Sequence, residues 1–424
     1  MSQWKEVKLG NIASVQTGPF GSQLHNEDYK ESGTPIVTVE HLGNKKFTRQ
    51  NLPRVSQEDC VRLAKYSMKT GDIIFSRVGA VDRCSLVSQE ESGWLFSSRC
   101  LCVRANDEID SEWLYYYFCL DTTKLNVRSI AVGATMPSIN TKILSNDVFV
   151  KYPTSIESQQ RIASILSSLD AKIENNNKIN AKLEEIAQNL FKEWFVDFSP
   201  FMNGKFVESE LGLIPEGWRV GTLGEIIINT IAGDWGKDNE EGNFTFKVAC
   251  IRGADIEDVK AGNKGKMPTR YILPKNFNAK HLEANDLVVE ISGGSPTQST
   301  GRICLISDSL LNRYDNALVC TNFCRALKPI PEYSMFLYNI WQNLYDKGVM
   351  FLYENGTTGI KNLALNDLIA KQLVILPPKE ITLKFNNLVA SFEMVIQQNG
   401  IENEKLATIR DTLLPKLMSG EIEV

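Results

Sequence analysis

The stretch Trp4–Gly10, WKEVKLG, returns 214 residues later as Trp218–Gly224, WRVGTLG. Further along, Leu183 matches Leu406 at an offset of 223, so nine net residues were gained inside the second copy. A period above 200 residues is too long for a solenoid repeat, in which each unit contacts only its neighbours. The sequence therefore predicts a tandem pair of domain-sized copies, each with its own core.

Composition places the chain among ordinary globular proteins. It has 424 residues, of which 43% are hydrophobic and 23% charged, with a formal net charge of -5. There is no signal-peptide pattern at the N-terminus and no apolar run near ~18 residues, so we expect a cytoplasmic chain with no membrane contact. The nine cysteines and three histidines lack the spacing of a zinc or redox motif, so we expect no metal site.

Each copy divides into a mixed region and a long helical segment. The mixed regions contain short strands and helices punctuated by glycine and proline, without alternating βαβ units, which predicts an α+β fold. We place the mixed domains at residues 1–152 and 199–376. The helical segments then occupy residues 153–198 and 377–424.

The helical segments carry the clearest local signal. Thr154–Glu157, TSIE, matches a capping box, so we expect the first helix to begin there and to end by Pro200. Steps of four and three residues trace a seam that is apolar apart from Arg410 and two central asparagines in each copy. The seam residues are Ile162, Leu166, Leu169, Ile173, Asn176, Asn180, Leu183, Ala187, Leu190 and Trp194 in the first copy, and Phe385, Val389, Phe392, Ile396, Asn399, Asn403, Leu406, Arg410, Leu413 and Leu417 in the second.

The asparagines favour an antiparallel coiled coil. A buried amide is costly unless it meets a hydrogen-bonding partner, so such residues set register and orientation. In the antiparallel register Asn176 faces Asn403 and Asn180 faces Asn399. A parallel pairing would also bring asparagines together, but the intervening segment would have to run back along the whole helix. A helix of ~40 residues is ~60 Å long, so we expect a rod with the two mixed domains at opposite ends.

Two similar but divergent domains on a spacer are suited to contacting two sites a fixed distance apart, such as DNA half-sites ~34 Å from each other. The acidic net charge does not favour DNA, but local cations and glycine-rich loops with amide or hydroxyl groups supply candidate contacts. Any single candidate could equally be a solvated loop residue. The candidate DNA-binding residues are Gln16, Thr17, Ser22, Gln23, Lys45, Lys46, Arg49, Arg77, Arg83, Lys264, Lys266, Ser295, Thr297, Gln298, Arg302, Arg313 and Tyr314.

Three stretches resemble the specificity subunits of type I restriction-modification systems. Phe191–Phe198 (FKEWFVDF) and Leu211–Trp218 (LGLIPEGW) resemble the central junction of that family, and Ser158–Asp170 (SQQRIASILSSLD) resembles the start of its central helix. The resemblance implies two target recognition domains, each reading one half of a bipartite DNA site, with the helices as spacer. It also implies two modification subunits carrying an adenine methyltransferase, and restriction subunits. S-adenosylmethionine, ATP and magnesium would then bind the partners, and this chain would need no cofactor.

A search for catalytic motifs agrees with a recognition role. We find neither a glycine-rich S-adenosylmethionine loop with an Asn-Pro-Pro or Asp-Pro-Pro motif nor a phosphate-binding loop. The three histidines have no evident nucleophile or base partner. We therefore predict a non-catalytic chain that recognises an asymmetric site, because its two copies have diverged. Two alternatives stay open: a protein interaction scaffold with a coiled-coil rod, and an undetected nuclease or transferase.

Overall fold

The computed structural model describes residues 3–19, 23–43, 45–295, 298–356 and 360–424. The chain forms two compact units. Unit 1 contains the residues up to Ala171 together with Ala407–Val424, and unit 2 contains Lys172–Leu406. Within the described ranges, every helix is too short or too polar to cross a lipid bilayer.

Unit 1 combines a four-stranded antiparallel sheet with smaller sheets and helices. The antiparallel sheet has the order β2-β9-β6-β7, a second sheet has the order β3-β5-β4-β8, and β1 pairs with β10. The strands are β1 (Trp4–Lys8), β2 (Ala13–Thr17), β3 (Tyr29–Lys30), β4 (Thr34–Val37), β5 (Arg54–Val55), β6 (Ile73–Ser76), β7 (Cys84–Leu86), β8 (Leu95–Phe96), β9 (Cys100–Ala105) and β10 (Phe149–Pro153). The helices are α1 (Leu9–Ile12), α2 (Gln57–Arg62), α3 (Ser111–Cys119), α4 (Asp121–Ser129), α5 (Thr141–Asp147) and α6 (Ile156–Phe195), which continues into unit 2.

Unit 2 repeats this plan. Its antiparallel sheet has the order β14-β21-β17-β19, and β13 pairs with β24 just before the second long helix. The strands are β11 (Phe206–Ser209), β12 (Gly212–Pro215), β13 (Arg219–Thr222), β14 (Ile227–Ala232), β15 (Phe246–Ile251), β16 (Thr269–Ile272), β17 (Leu287–Glu290), β18 (Ser292–Gly293), β19 (Ile303–Leu305), β20 (Leu318–Cys320), β21 (Cys324–Pro329), β22 (Glu354–Asn355), β23 (Lys361–Leu363) and β24 (Leu373–Leu376). The helices are α7 (Ile256–Lys260), α8 (Pro274–Lys280), α9 (Asp308–Leu311), α10 (Ser334–Asp346), α11 (Leu365–Lys371) and α12 (Lys379–Ser419), whose last turns belong to unit 1.

The register of equivalent strands confirms the internal repeat. Ile73 of β6 pairs with Val103 of β9, and Leu287 of β17 pairs with Leu327 of β21. Each unit also contains a parallel strand pair. It joins β4 to β8 in unit 1 and β15 to β20 in unit 2. The mixed α+β composition predicted from the sequence is therefore present in each unit.

The two long helices run antiparallel in unit 2. Asn176 Nδ2 donates to Asn403 Oδ1 at 2.9 Å, and Asn399 Nδ2 donates to Asn180 Oδ1 at 2.8 Å. These are the two facing pairs of the antiparallel register. Asn176, Asn180 and Asn403 are buried, so each amide needs the partner that the opposite helix supplies.

In unit 1 the end of α12 packs against the beginning of α6. Leu414 and Leu417 share a buried core cluster with Ile162 and Leu166. Arg410, the charged residue of the seam, binds Asp170 through Nη1 and Oδ1 at 2.6 Å. The sequence seam did not reveal this ion pair, because Asp170 lies one residue beyond the position opposite Arg410.

The start of α6 differs from the capping-box prediction. The helix begins at Ile156, and Ser155 Oγ accepts from the Ser158 N–H at 3.3 Å. Thr154 instead donates its hydroxyl to the carbonyl oxygen of Gln3 at 3.0 Å. The predicted box therefore lies one residue too early, because Thr154 is still held by the strand pairing of β1 with β10.

Candidate nucleic-acid interface

Two candidate cations of unit 1 are engaged in ion pairs. Lys45 forms an ion pair with Glu112, and Arg49 forms ion pairs with Glu90 and Glu91, the latter at 3.2 Å. A cation that already neutralises a carboxylate contributes little to the attraction of phosphates. Lys46, between them in sequence, has an exposed side chain and a carbonyl oxygen that accepts from Ser85 Oγ at 3.4 Å.

The polar candidates near β2 also bond within the unit. Gln16 Nε2 donates to the carbonyl oxygen of Lys65 at 3.0 Å, and Tyr66 donates its hydroxyl to Gln23 Oε1 at 2.7 Å. Thr17 Oγ1 accepts from Arg77 Nη1 at 3.3 Å. These side chains are ordered by their own neighbours, which is a precondition for a defined contact surface. Ser22 lies outside the described residues.

Three arginines of unit 1 lie near one another in the fold. Arg77, Arg83 and Arg99 make no ion pair with a carboxylate among the residues that the structure describes, and the main-chain N–H of Arg77 donates to the Arg99 carbonyl oxygen at 2.9 Å. Arg83 and Arg99 are exposed and line one cavity of about 290 Å³, whose walls also include Glu40 and Met136.

Sequence reasoning missed Arg99. It lies directly before the buried strand β9, and it is isolated from other basic residues in the sequence. Its proximity to Arg77 depends on the main-chain bond between two loops that are distant along the chain. The one available signal was its position immediately before a strand, next to Ser97 and Ser98.

The arginine candidates of unit 2 form ion pairs within the unit. Arg302 binds Glu290 through two hydrogen bonds at 2.8 and 2.7 Å, and this hydrogen bonding raises the pKa of Arg302. The Arg313 side chain is 8% exposed, and its guanidinium binds Glu404 at 2.7 Å. Both charges are neutralised by carboxylates of unit 2. That Arg302 and Arg313 contact DNA stays a prediction.

The remaining candidates of unit 2 lie in three segments that connect helices and strands. Lys264 Nζ lies 4.5 Å from the ring centroid of Tyr314, whose hydroxyl donates to the Lys264 carbonyl oxygen at 2.7 Å. Lys266 has an exposed side chain. The Gln298 N–H donates to Ser295 Oγ at 3.0 Å. Thr297 lies outside the described residues.

Aromatic residues occupy part of the corresponding surface of unit 2. The Ile291 N–H donates to the Phe323 carbonyl oxygen at 2.8 Å, which repeats the bond between Arg77 and Arg99. Phe323 is 59% exposed. Trp235 follows strand β14 closely in the sequence. Its ring stacks on the Arg270 guanidinium, whose Cζ lies 4.1 Å from the ring centroid. The same framework therefore presents cations in unit 1 and an exposed aromatic ring in unit 2.

Among the described residues no metal-ligand cluster is present, and three buried thiols have raised pKa values. No group of three or more His, Cys, Asp or Glu side chains lies close enough together to hold a metal ion among them. Burial raises the pKa of the Cys100, Cys250 and Cys324 thiols to about 12. A thiol with so high a pKa stays protonated near neutral pH and is a poor nucleophile.

Comparison with known proteins identifies one family. The sequence profile described as the type I restriction modification DNA specificity domain matches residues 1–185. The chain is 31% identical over 325 residues to the type I restriction enzyme MjaIX specificity subunit of Methanocaldococcus jannaschii, covering 75% of this chain and 70% of that protein. It is 26% identical to the HindI specificity subunit of Haemophilus influenzae, with 100% of each chain covered.

A solved structure shares the fold. The crystal structure of the type I restriction-modification system S subunit from M. genitalium superposes with a TM-score of 0.53 at 17% sequence identity, covering 98% of this chain and 96% of that one. At this identity the likeness concerns the fold alone. It agrees with the repeated sheet order and the two long helices described above.

Proposed function

The chain belongs to the family of type I restriction-modification specificity subunits, and from this premise we propose that it recognises an asymmetric bipartite DNA target and directs partner subunits to it. In this role the chain supplies sequence recognition and no catalysis. Each mixed region reads one half-site, and the helices set the distance between the two half-sites.

The proposal of an asymmetric target rests on the difference between two equivalent surfaces, one in each unit. In unit 1 the bond between two loops joins Arg77 to Arg99, and in unit 2 the same bond joins Ile291 to Phe323. Arginine suits phosphate and guanine recognition, whereas an exposed aromatic ring suits apolar contact with bases or sugars. Two unlike surfaces on one framework favour two unlike half-sites.

We extend the proposal to the partners. Two modification subunits would carry the adenine methyltransferase and bind S-adenosylmethionine, and restriction subunits would use ATP and magnesium. The helices of unit 2 expose apolar side chains that could meet such partners, since Ile179 is 39%, Ile186 is 40%, Met394 is 70% and Val395 is 42% exposed. Exposed apolar groups on paired helices are typical of surfaces that bind other helices.

Methylome sequencing tests the proposal directly. Cells with and without the chain are compared, with a complemented strain as control. We expect one bipartite adenine-methylated motif to disappear on deletion and to return on complementation, because the target base must be selected before a partner flips and methylates it. Retention of every methylated motif after deletion would contradict the proposed role.

A scaffold that binds only polypeptides is the second candidate, and the net charge of -5 favours it. Salt separates the two functions. Affinity of the assembled complex for its target duplex should fall steeply with rising salt, because bound phosphates release counterions. Binding that hardly responds to salt, or no binding to DNA, would favour the scaffold.

A further inference from the structure

The end of helix α7 in unit 2 faces the two long helices. Gly262 follows this helix with a φ of 82°, a left-handed conformation that reverses the chain direction. A helix end leaves carbonyl oxygens without donors inside the helix. Here the Ala261 carbonyl oxygen accepts from Asn180 Nδ2 at 2.9 Å, and that of Gly262 accepts from Arg313 Nη1 at 2.8 Å.

Gly400 is where this turn touches α12. A Cβ atom added to Gly400 would overlap the carbonyl oxygen of Gly262, and one added to Gly262 would overlap that of Ile396. Both obstacles are main-chain atoms, which cannot rotate away as a side chain can. Glycine is unfavourable inside a helix compared with alanine, so the close approach explains why glycine stands there.

Arg313 links the turn to the same face of α12. Its side chain is 8% exposed, and besides Gly262 it contacts Gln397 Oε1 at 3.4 Å and Glu404 Oε1 at 2.7 Å. Gln397, Gly400 and Glu404 are spaced at i, i+3 and i+7, which places them on one side of the helix. The planar guanidinium can hold several acceptors in one geometry, which a lysine cannot.

We propose that Gly262, Arg313, Gly400 and Glu404 form a clamp that fixes the orientation of the mixed region of unit 2 on the long helices. The clamp thereby sets where the second half-site is read, a step that rests on the proposed function. Arg313 is then a positioning residue and not a DNA contact. Misplacement of a positioned group by ~1 Å can reduce a reaction rate about 100-fold.

Hydrogen exchange tests the clamp without DNA. The full chain in its native complex is compared with Arg313→Gln and Gly400→Ala, after thermal unfolding has shown that each variant folds. The exposed ion-pair residue Arg219, 58% exposed, supplies the control variant Arg219→Gln. We expect faster amide exchange across residues 256–266 in both clamp variants and none of this change in the control. Unchanged exchange in Arg313→Gln overturns the clamp, even if Gly400→Ala does not fold.

Methylation of a DNA library tests the consequence. The library varies both half-sites and the gap between them, and the methylated molecules are sequenced. We expect the clamp variants to methylate the wild-type gap about 100-fold less and to accept neighbouring gap lengths, with the bases of each half-site unchanged.

Other outcomes separate the two proposals. A changed base preference in the second half-site at the wild-type gap would make Arg313 a DNA contact and overturn the clamp. A wild-type complex that methylates no bipartite motif would refute the proposed function, while hydrogen exchange would still decide the clamp.

Discussion

Equivalent residues of the two copies have acquired different roles. Arg83 and Arg302 correspond in the repeat, but Arg83 is exposed whereas Arg302 binds Glu290, whose side chain is 7% exposed. Sequence alone treats both as candidate DNA contacts, since each follows a glycine-containing loop. Their difference arises from the partner, because Glu290 of β17 is replaced in β6 by Ser76, which donates its hydroxyl to the Val78 carbonyl oxygen instead.

This difference predicts opposite effects of the same substitution. Arg83→Gln should weaken DNA binding and reduce the slope of log affinity against log salt by about 1, because one phosphate contact is lost. Arg302→Gln should leave Glu290 buried without its cation and lower the free energy of unfolding by about 3 kcal/mol. Fluorescence anisotropy with the assembled complex and urea unfolding measure the two quantities. A reduced salt slope in a fully stable Arg302→Gln variant would contradict this assignment.

The asparagines of the seam predict that a single substitution and a paired substitution differ in their effect on stability. Asn180 donates to the Ala261 carbonyl oxygen and accepts from Asn399 Nδ2. Asn180→Leu should therefore cost about 1–3 kcal/mol, because that carbonyl oxygen loses its donor and the Asn399 amide loses its acceptor. Replacing Asn176 and Asn403 together by leucine removes both members of a pair, and it should be nearly neutral or stabilising. Urea unfolding compares the variants. Equal losses in both would show that the seam amides have no distinct partners.

At the scale of the elements, α6, α10 and α12 enclose a pair of acidic side chains in unit 2. Burial raises the pKa of Glu393 to about 7; the hydrogen bond from Gln397 opposes this shift, and the charge of Glu184 adds to it. Burial also raises the pKa of Glu184, which accepts from the Tyr338 hydroxyl at 3.0 Å. The charged groups facing these carboxyls are Lys260, which lowers the pKa of Glu184, and Asp346, which raises it.

This cluster predicts a pH-dependent stability. The pKa of Glu393 lies above its ordinary value of 4.5, so folding favours the protonated form. The contribution of protonated Glu393 to the free energy of unfolding is complete below pH 4.5, and it is lost as the pH rises through about 7. Glu393→Gln should therefore be more stable than the wild type at pH 8 by about 3 kcal/mol, and similar to it near pH 4.5. Urea unfolding at several pH values measures this, with the exposed Glu380→Gln as control. A constant difference across that range would contradict the prediction.

At the scale of the whole molecule, the proposed spacer role predicts that the gap between half-sites depends on the length of the two long helices. The helices span 40 and 41 residues, and an α-helix rises 1.5 Å per residue. A seven-residue insertion therefore adds ~10 Å, which corresponds to ~3 bp of duplex. Matched positions of the antiparallel register are the junctions between Ala171 and Lys172 and between Ala407 and Thr408.

We expect one heptad inserted at both junctions to lengthen the preferred gap by ~3 bp, with each half-site sequence retained. The heptad keeps the apolar seam in phase. Sequencing of methylated library DNA measures the gap, and a chain with one heptad inserted at only one junction serves as the control, since its seam is out of register. An unchanged gap in the doubly extended chain would show that the helices do not set the spacing.

Most of the architecture follows from patterns that are local or periodic. The copies of Trp4–Gly10, the spacing of apolar residues and the paired asparagines predicted the repeat, the long helices and their antiparallel packing. These features are readable because helix periodicity and a polar residue in an apolar seam constrain packing wherever they occur. The capping residue was misplaced by one position, because the strand pairing that holds Thr154 is not local.

The ion-pair partners of individual side chains could not be predicted from such local or periodic patterns. Whether Arg83, Arg302 or Arg313 is available to a ligand depends on carboxylates and carbonyl groups distant in the chain. The same holds for Arg99, which approaches Arg77 only through a bond between two loops.

The sequence alone therefore determined the tandem plan, the helix pair and the family, since these rest on repeated composition and periodicity. Only the tertiary structure decided which cations stay free and how Gly262 meets Gly400. Electrostatic pairing and close backbone contact depend on distances of a few ångströms between residues far apart in the chain.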